Sequence, residues 1–132
     1  MRFDVDRLAR LLELTGVLDF AFLLGSSQDG LVGDGSDIDI ALMYSADVKV
    51  NFDVMAEIYR IVDQVAPGVE SDLIRLNTAN ETIRFEALKG KLLFVRNGCM
   101  EWYTDFYSIT CREYEDYRIW SGKQLEYRGY AI

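Results

Sequence analysis

Residues 23–42 read LLGSSQDGLVGDGSDIDIAL: an apolar run ends in Gly25-Ser26, a glycine-rich stretch follows, and Asp37-Ile38-Asp39 opens a second aliphatic run. Val17 to Leu24, rich in aliphatic and aromatic residues, predicts a buried strand. Gly25 to Ser36 holds four glycines and three serines, so a loop with at most a short helix is expected there. Asp37 to Tyr44 predicts a second strand, with polar and apolar residues alternating in its first half. In a strand, residues i and i+2 project from one face, so Asp37 and Asp39 aim two carboxylates at one point, roughly 6–7 Å apart at Cα. Like charges that close repel unless a cation lies between them. Hard oxygen ligands at this spacing suit Mg2+, which completes its shell with water and phosphate oxygens. Gly25 permits close backbone approach to a phosphate, and Ser26 with exposed amides at a helix start can hold anionic oxygens.

Outward from this stretch the chain alternates between helix and strand signals. Val5 to Thr15 predicts a helix with Val5, Leu8, Leu11, Leu12 and Thr15 on one face, Asp4 as N-cap and Gly16 as stop. Asn51 to Ala66 predicts a second, with Phe52, Met55, Ile58, Tyr59, Val62 and Val65 at helical spacing, ended by Pro67-Gly68. Val69 to Leu76 predicts a third strand, Ala79 to Leu88 a short helix closed by Gly90, and Lys91 to Arg96 a further strand. Met100 to Tyr127 predicts one long helix or two short ones, their aromatics serving core and interface packing. The alternation predicts a mixed α/β (α+β) sandwich, a small mixed sheet with packed helices, forming one domain over residues 1–132.

Asp72 lies mid-strand among apolar residues, where an unpaired carboxylate is costly, so a neighbouring strand is expected to bring it to Asp37 and Asp39. Three carboxylates with two metal ions form a device for in-line displacement at phosphorus. Asp72 would then be a metal ligand and the acceptor of the attacking hydroxyl's proton. Taken singly, Gly25-Ser26 fits a turn, Asp37 and Asp39 the wet face of a half-buried strand, and Asp72 an edge charge. Together, in this strand context, they predict chemistry. Lys49, Arg75 and Arg84 are candidate phosphate contacts, although Arg75 has opposite strand parity to Asp72 and is expected to point away.

The 132 residues include 22 acidic and 14 basic ones, a net charge of −8, which argues against nucleic acid as the main partner. A nucleoside triphosphate remains compatible, because bound metal reverses the local sign of a carboxylate cluster. With no histidine, Ser-His-Asp and Cys-His catalysis and histidine-ligated zinc are excluded. Cys99 and Cys111 form no disulfide framework and are expected to be inert small apolar residues in a reducing cytoplasm. No apolar stretch is long enough to span a bilayer.

The stretch LLGSSQDGLVGDGSDIDIAL resembles the signature of the minimal nucleotidyltransferases of the DNA polymerase β superfamily. SDLIRLNTANETIRFEALKGKLLF is similar to that family's third-carboxylate strand, following helix and closing strand, and EWYTDFYSITCREYEDY resembles its C-terminal helix. The resemblance implies the polymerase-β-like fold and transfer of a nucleotidyl group, usually AMP from ATP, to a hydroxyl. It implies that Gly25 and Ser26 hold the triphosphate and that Asp37, Asp39 and Asp72 bind two Mg2+ ions and are catalytic. Many stand-alone members are antitoxins paired with a HEPN-family ribonuclease toxin, which they silence by adenylylating a tyrosine. Relatives often carry arginine just before the glycine matching Gly30. Asp29 stands there in this chain, and with Asp34 it makes the loop acidic. That acidity keeps open a second expectation, a catalytically weak module that neutralises its partner by contact.

Overall fold

The computed structural model describes residues 1–127. The expected domain of residues 1–132 extends past them. Helix α1 spans Val5–Leu14, one residue shorter than expected, and the Asp4 carboxylate caps it by accepting from the Arg7 amide at 3.0 Å. Strand β1 (Leu18–Leu24) follows, then a 3₁₀ turn (Gly25–Ser27) and strand β2 (Ile38–Tyr44), which starts one residue after Asp37. Helix α2 (Phe52–Val65), capped by Asn51, carries the chain to β3 (Ser71–Arg75). Helix α3 (Glu81–Leu88), strand β4 (Lys91–Val95) and helix α4 (Met100–Tyr127) complete the order, and α4 is one continuous helix.

The sheet runs β3-β2-β1-β4. β1 pairs antiparallel with β2 and β4, whereas β2 and β3 are parallel. A parallel pair needs a crossover, and α2 supplies it. β1 and β2 occupy the centre and are buried along most of their length. Leu18, Leu23, Ile40 and Leu42 pack with Leu8 and Leu12 of α1 and Ile58 and Val62 of α2. Phe20, Phe22, Ala41 and Met43 pack on the other face with Ala87 of α3 and Phe106 of α4. Phe20 is the hub, with ring centroids 5.1 Å from Phe106 and 5.3 Å from Tyr103. Burying one such side chain stabilises the fold by about 1.5–3 kcal/mol. Phe85 and Tyr114, stacked at 3.9 Å, tie α3 to α4. Among the described residues, no helix is long and apolar enough to cross a membrane.

The expected apolar stripe of α2 is buried only in part. Ile58, Val62 and Val65 are buried with Val54 and Ile61 beside them, while Phe52 is 83% exposed and Met55 and Tyr59 lie at the rim, 38% and 39% exposed. The helix carries two overlapping apolar stripes, and helical spacing alone does not choose between them.

One polar cluster pins the end of β1 remote from Gly25. Asp19 is buried, and its Oδ1 accepts from Ser45 Oγ at 2.6 Å, Arg96 Nη2 at 2.9 Å and Cys99 Sγ at 3.5 Å. Arg96 also donates Nη1 to the Gly16 carbonyl at 2.9 Å. The carboxylate thus joins the strand to the turns after β2 and β4 and to the segment entering α4. Cys99 is therefore a hydrogen-bonding member of a network rather than an inert apolar residue. Both cysteines are free thiols.

Candidate active site

The expected site residues converge at the opposite end of β1. β1 runs antiparallel to β2 with Leu24 opposite Asp39, and β2 runs parallel to β3 with Asp39 opposite Asp72. In-register neighbours share a face, so the Asp39 and Asp72 carboxylates stand side by side, on the α3 and α4 side of the sheet with Ala41 and Ile74. Asp37 lies just before β2 at the mouth of the loop. Asp37 and Asp72 are exposed and Asp39 is half-buried. The exposure corrects one step of the sequence argument: Asp72 is cheap where it stands, and register, not the cost of burial, brings it to the cluster.

Gly25 follows directly from β1 with φ +69°, a conformation that favours glycine. A Cβ there would stand 3.5 Å from Asp39 Oδ2, so the turn and the carboxylate are in contact range. The two serines divide the work. Ser27 is buried and donates its hydroxyl to the Leu24 carbonyl at 3.3 Å, whereas Ser26 is exposed at the mouth of the turn. No side chain caps the 3₁₀ turn at Leu24, which leaves its first amides open to an anion.

Burial, then the Asp72 charge and then the Asp37 charge push the Asp39 carboxyl above its ordinary range. A folded-state value above the unfolded one makes ionised Asp39 a cost to folding at neutral pH, a cost that disappears as pH falls below the carboxylate range. Asp39→Asn is therefore expected to raise the melting temperature of the metal-free protein at pH 7 by on the order of one degree, solvent screening keeping the effect small. The gain should shrink toward zero as pH falls to 3.8, the ordinary carboxyl value. Thermal melts in EDTA at several pH values measure it, and a gain that grew on acidification would contradict this electrostatic reading.

Among the described residues, no three His, Cys, Asp or Glu side chains stand close enough to enclose a metal ion unaided. The donor set still fits Mg2+, which is held by one or two carboxylates with water and substrate phosphate filling the rest of its shell.

The basic residues singled out from sequence do not join the cluster. Lys49 lies beyond the far end of β2. Arg75 sits opposite Leu42, on the α1 and α2 side, with its guanidinium 6.0 Å from the Tyr44 ring centre, and so points away as its parity predicts. Arg84 is committed to structure: it donates to the Leu76 carbonyl at 3.0 Å and the Asn77 carbonyl at 3.2 Å, with Phe106 beneath it at 5.6 Å. A cleft of about 390 Å3 opens beside Asp37, lined in part by Asp34, Glu70 and Gly33. A second, of about 280 Å3, lies against Gly25 and is lined also by Lys89, a residue that the sequence reading passed over.

Residues 7–98 match the family model described as polymerase beta, nucleotidyltransferase. Comparison with curated proteins found no match. Among solved structures, the chain is similar to a toxin–antitoxin crystallised with AMP-PNP, at 21% identity over 93% of this chain and 96% of that one, with a TM-score of 0.70. It is also similar to a chain of the tri-AMPylated Shewanella oneidensis HEPN toxin in complex with MNT antitoxin, at 18% identity over 92% and 94% of the two chains, with a TM-score of 0.64. A third similar structure, a toxin–antitoxin MntA–HepT, is 19% identical over 92% and 95%, with a TM-score of 0.62. At these identities the likeness establishes a shared fold.

Proposed function

The chain belongs to the polymerase β nucleotidyltransferase family, and from that premise we propose that it transfers AMP from ATP to a hydroxyl, a tyrosine, of a HEPN-family toxin and so serves as the antitoxin. The observation that carries the reading is the register that sets Asp39 beside Asp72 and against the Gly25 turn. The AMP-PNP and AMPylated-toxin complexes that share the fold support the choice of nucleotide and partner.

In this reading Asp37, Asp39 and Asp72 would share the holding of two Mg2+ ions, with water and substrate phosphate completing each shell, and the metal would supply positive charge to the phosphate oxygens. The open amides of the Gly25 turn and the Ser26 hydroxyl orient the triphosphate so that its α-phosphorus faces Asp72. Asp72 accepts the proton of the acceptor hydroxyl as that oxygen bonds to the α-phosphorus. The bond from the α-phosphorus to the bridging oxygen breaks, and pyrophosphate leaves. The exposure of Asp37, Asp72 and Ser26 leaves the site open to a large acceptor, and docking of a protein partner would supply orientation that an open site lacks.

The second reading, a module that neutralises its partner by contact alone, is favoured by the acid of the loop. Asp29 and Asp34 are exposed, and Asp29 is held in place by accepting from the Leu31 amide at 3.1 Å. Intact-mass spectrometry of the partner toxin, after incubation with this protein, ATP and Mg2+, separates the two. The expected result is a gain of one or more AMP units that Asp72→Asn eliminates. A partner left unmodified yet inhibited, equally by wild type and Asp72→Asn, would establish the contact reading instead.

A further inference from the structure

An open site with five exposed or half-buried aspartates around it, Asp29, Asp34, Asp37, Asp39 and Asp72, repels a polyphosphate unless a cationic side chain reaches it. Lys49, Arg75 and Arg84 do not, and the cleft beside Asp37 has no lysine or arginine in its lining, while the Met1 ammonium that borders it donates to the Val32 carbonyl at 2.8 Å. The cleft on the other side of the turn is different. Its walls are Leu24, Gly25, Gln28, Glu86, Lys89 and Gly90, so a lysine shares one hollow with the turn that would hold the phosphates.

Backbone packing fixes that arrangement. A Cβ at Gly90 would fall 2.6 Å from Leu24 Cδ2 and 2.7 Å from the Leu23 carbonyl oxygen. Only glycine lets the chain leaving α3 press so closely on the end of β1, and this contact sets Lys89 over the Gly25 cleft. Lys89 Nζ lies 3.0 Å from Glu86 Oε1 and 5.2 Å from the centre of the Phe85 ring. Both charged side chains are 57% exposed. An exposed ion pair one helical turn apart is weak and exchanges its partner readily, and a polyphosphate offers a denser negative charge than one carboxylate.

We propose that Lys89 binds the polyphosphate tail of the nucleotide, and that Glu86 holds this lysine in the empty site and is displaced when the triphosphate enters. The inference rests on the nucleotidyl-transfer reading and adds to it the residue that confers preference for a triphosphate over a monophosphate.

The test compares wild type with Lys89→Gln, Lys89→Arg and Glu86→Gln, each checked by thermal melting, in steady-state transfer and in calorimetric titration with AMP-PNP and with AMP in Mg2+. Lys89→Gln should raise KM for ATP and weaken AMP-PNP about tenfold, with kcat held within about twofold and AMP affinity unchanged. Lys89→Arg should restore most of the loss. Glu86→Gln, which frees the lysine, should tighten AMP-PNP by about two- to threefold. A Lys89→Gln protein with wild-type KM and AMP-PNP affinity overturns the inference and leaves the transfer reading standing. An equal loss of AMP and AMP-PNP binding also overturns it, because the residue would then act on the whole nucleotide or on the fold. A wild-type protein that binds no AMP-PNP and transfers nothing overturns the transfer reading itself.

Discussion

Asp39→Ala is expected to reduce nucleotidyl transfer by about three orders of magnitude or more, with secondary structure unchanged. Asp39 is the member of the carboxylate set whose charge both others oppose: it is in register with Asp72 across β2 and β3, lies opposite Leu24 at the start of the Gly25 turn, and feels the charge of Asp37. Its removal leaves Asp37 and Asp72 without the donor between them. Wild type should melt higher with ATP and Mg2+ together than with ATP in EDTA, and Asp39→Ala should lose that metal-dependent difference. Radiolabel transfer and melting curves read the two effects separately. Near wild-type transfer by the variant, or equal ATP stabilisation with and without metal in wild type, would place the chemistry elsewhere.

The second large effect concerns stability. Asp19→Ala is expected to cost about 2–4 kcal/mol, at the lower side of what breaking a buried ion pair costs because Arg96 is partly exposed. The loss strands Ser45, Arg96 and Cys99 together, since all three donate to one oxygen. For a chain of this size that corresponds to a fall in melting temperature of roughly 10 °C. The protein that remains folded should retain transfer activity, because Asp19 sits at the end of β1 remote from Gly25. Urea denaturation with an activity assay at low temperature checks both parts. A loss below about 1 kcal/mol would mean that water replaces the carboxylate at little cost.

The strands and the carboxylate pair were legible in the sequence because strand parity is strict. Parity put Asp39 and Arg75 on opposite faces, as found, whereas Asp37, expected as the first strand residue, lies just before β2 in the loop. Helical periodicity is more permissive, which is why α2 turned out to bury Ile58, Val62 and Val65 while Phe52 faces outward and Met55 and Tyr59 lie at the rim. Asp72 comes beside Asp39 through strand register rather than through any cost of burial, since it is exposed. Arg84 looked like a free cation because its partners are main-chain carbonyls, which no residue pattern reveals. Two features did leave a signal. A lone Asp19 inside the apolar run LDFAFLL had to find partners, and Lys89 precedes a glycine at the point where a helix must turn back onto a strand. What neither signal gave was the identity of the neighbours, which only the sheet order β3-β2-β1-β4 supplies.

The lone parallel pairing in that sheet bears on how the molecule acquires its activity during folding. β1 and β2 are successive antiparallel strands, so Gly25, Ser26, Asp37 and Asp39 are drawn together by the shorter loop closure. Asp72 joins only when α2 has packed and β3 has docked alongside β2, a contact with a larger closure entropy to overcome. Loop closure thus favours Gly25, Ser26, Asp37 and Asp39 over Asp72 as the first of the five residues to meet, and it makes the β3 docking the step on which the proposed proton acceptor depends. Substitutions in the buried face of α2, far from any phosphate, should then lower the fraction of molecules competent for transfer before they unfold the sheet.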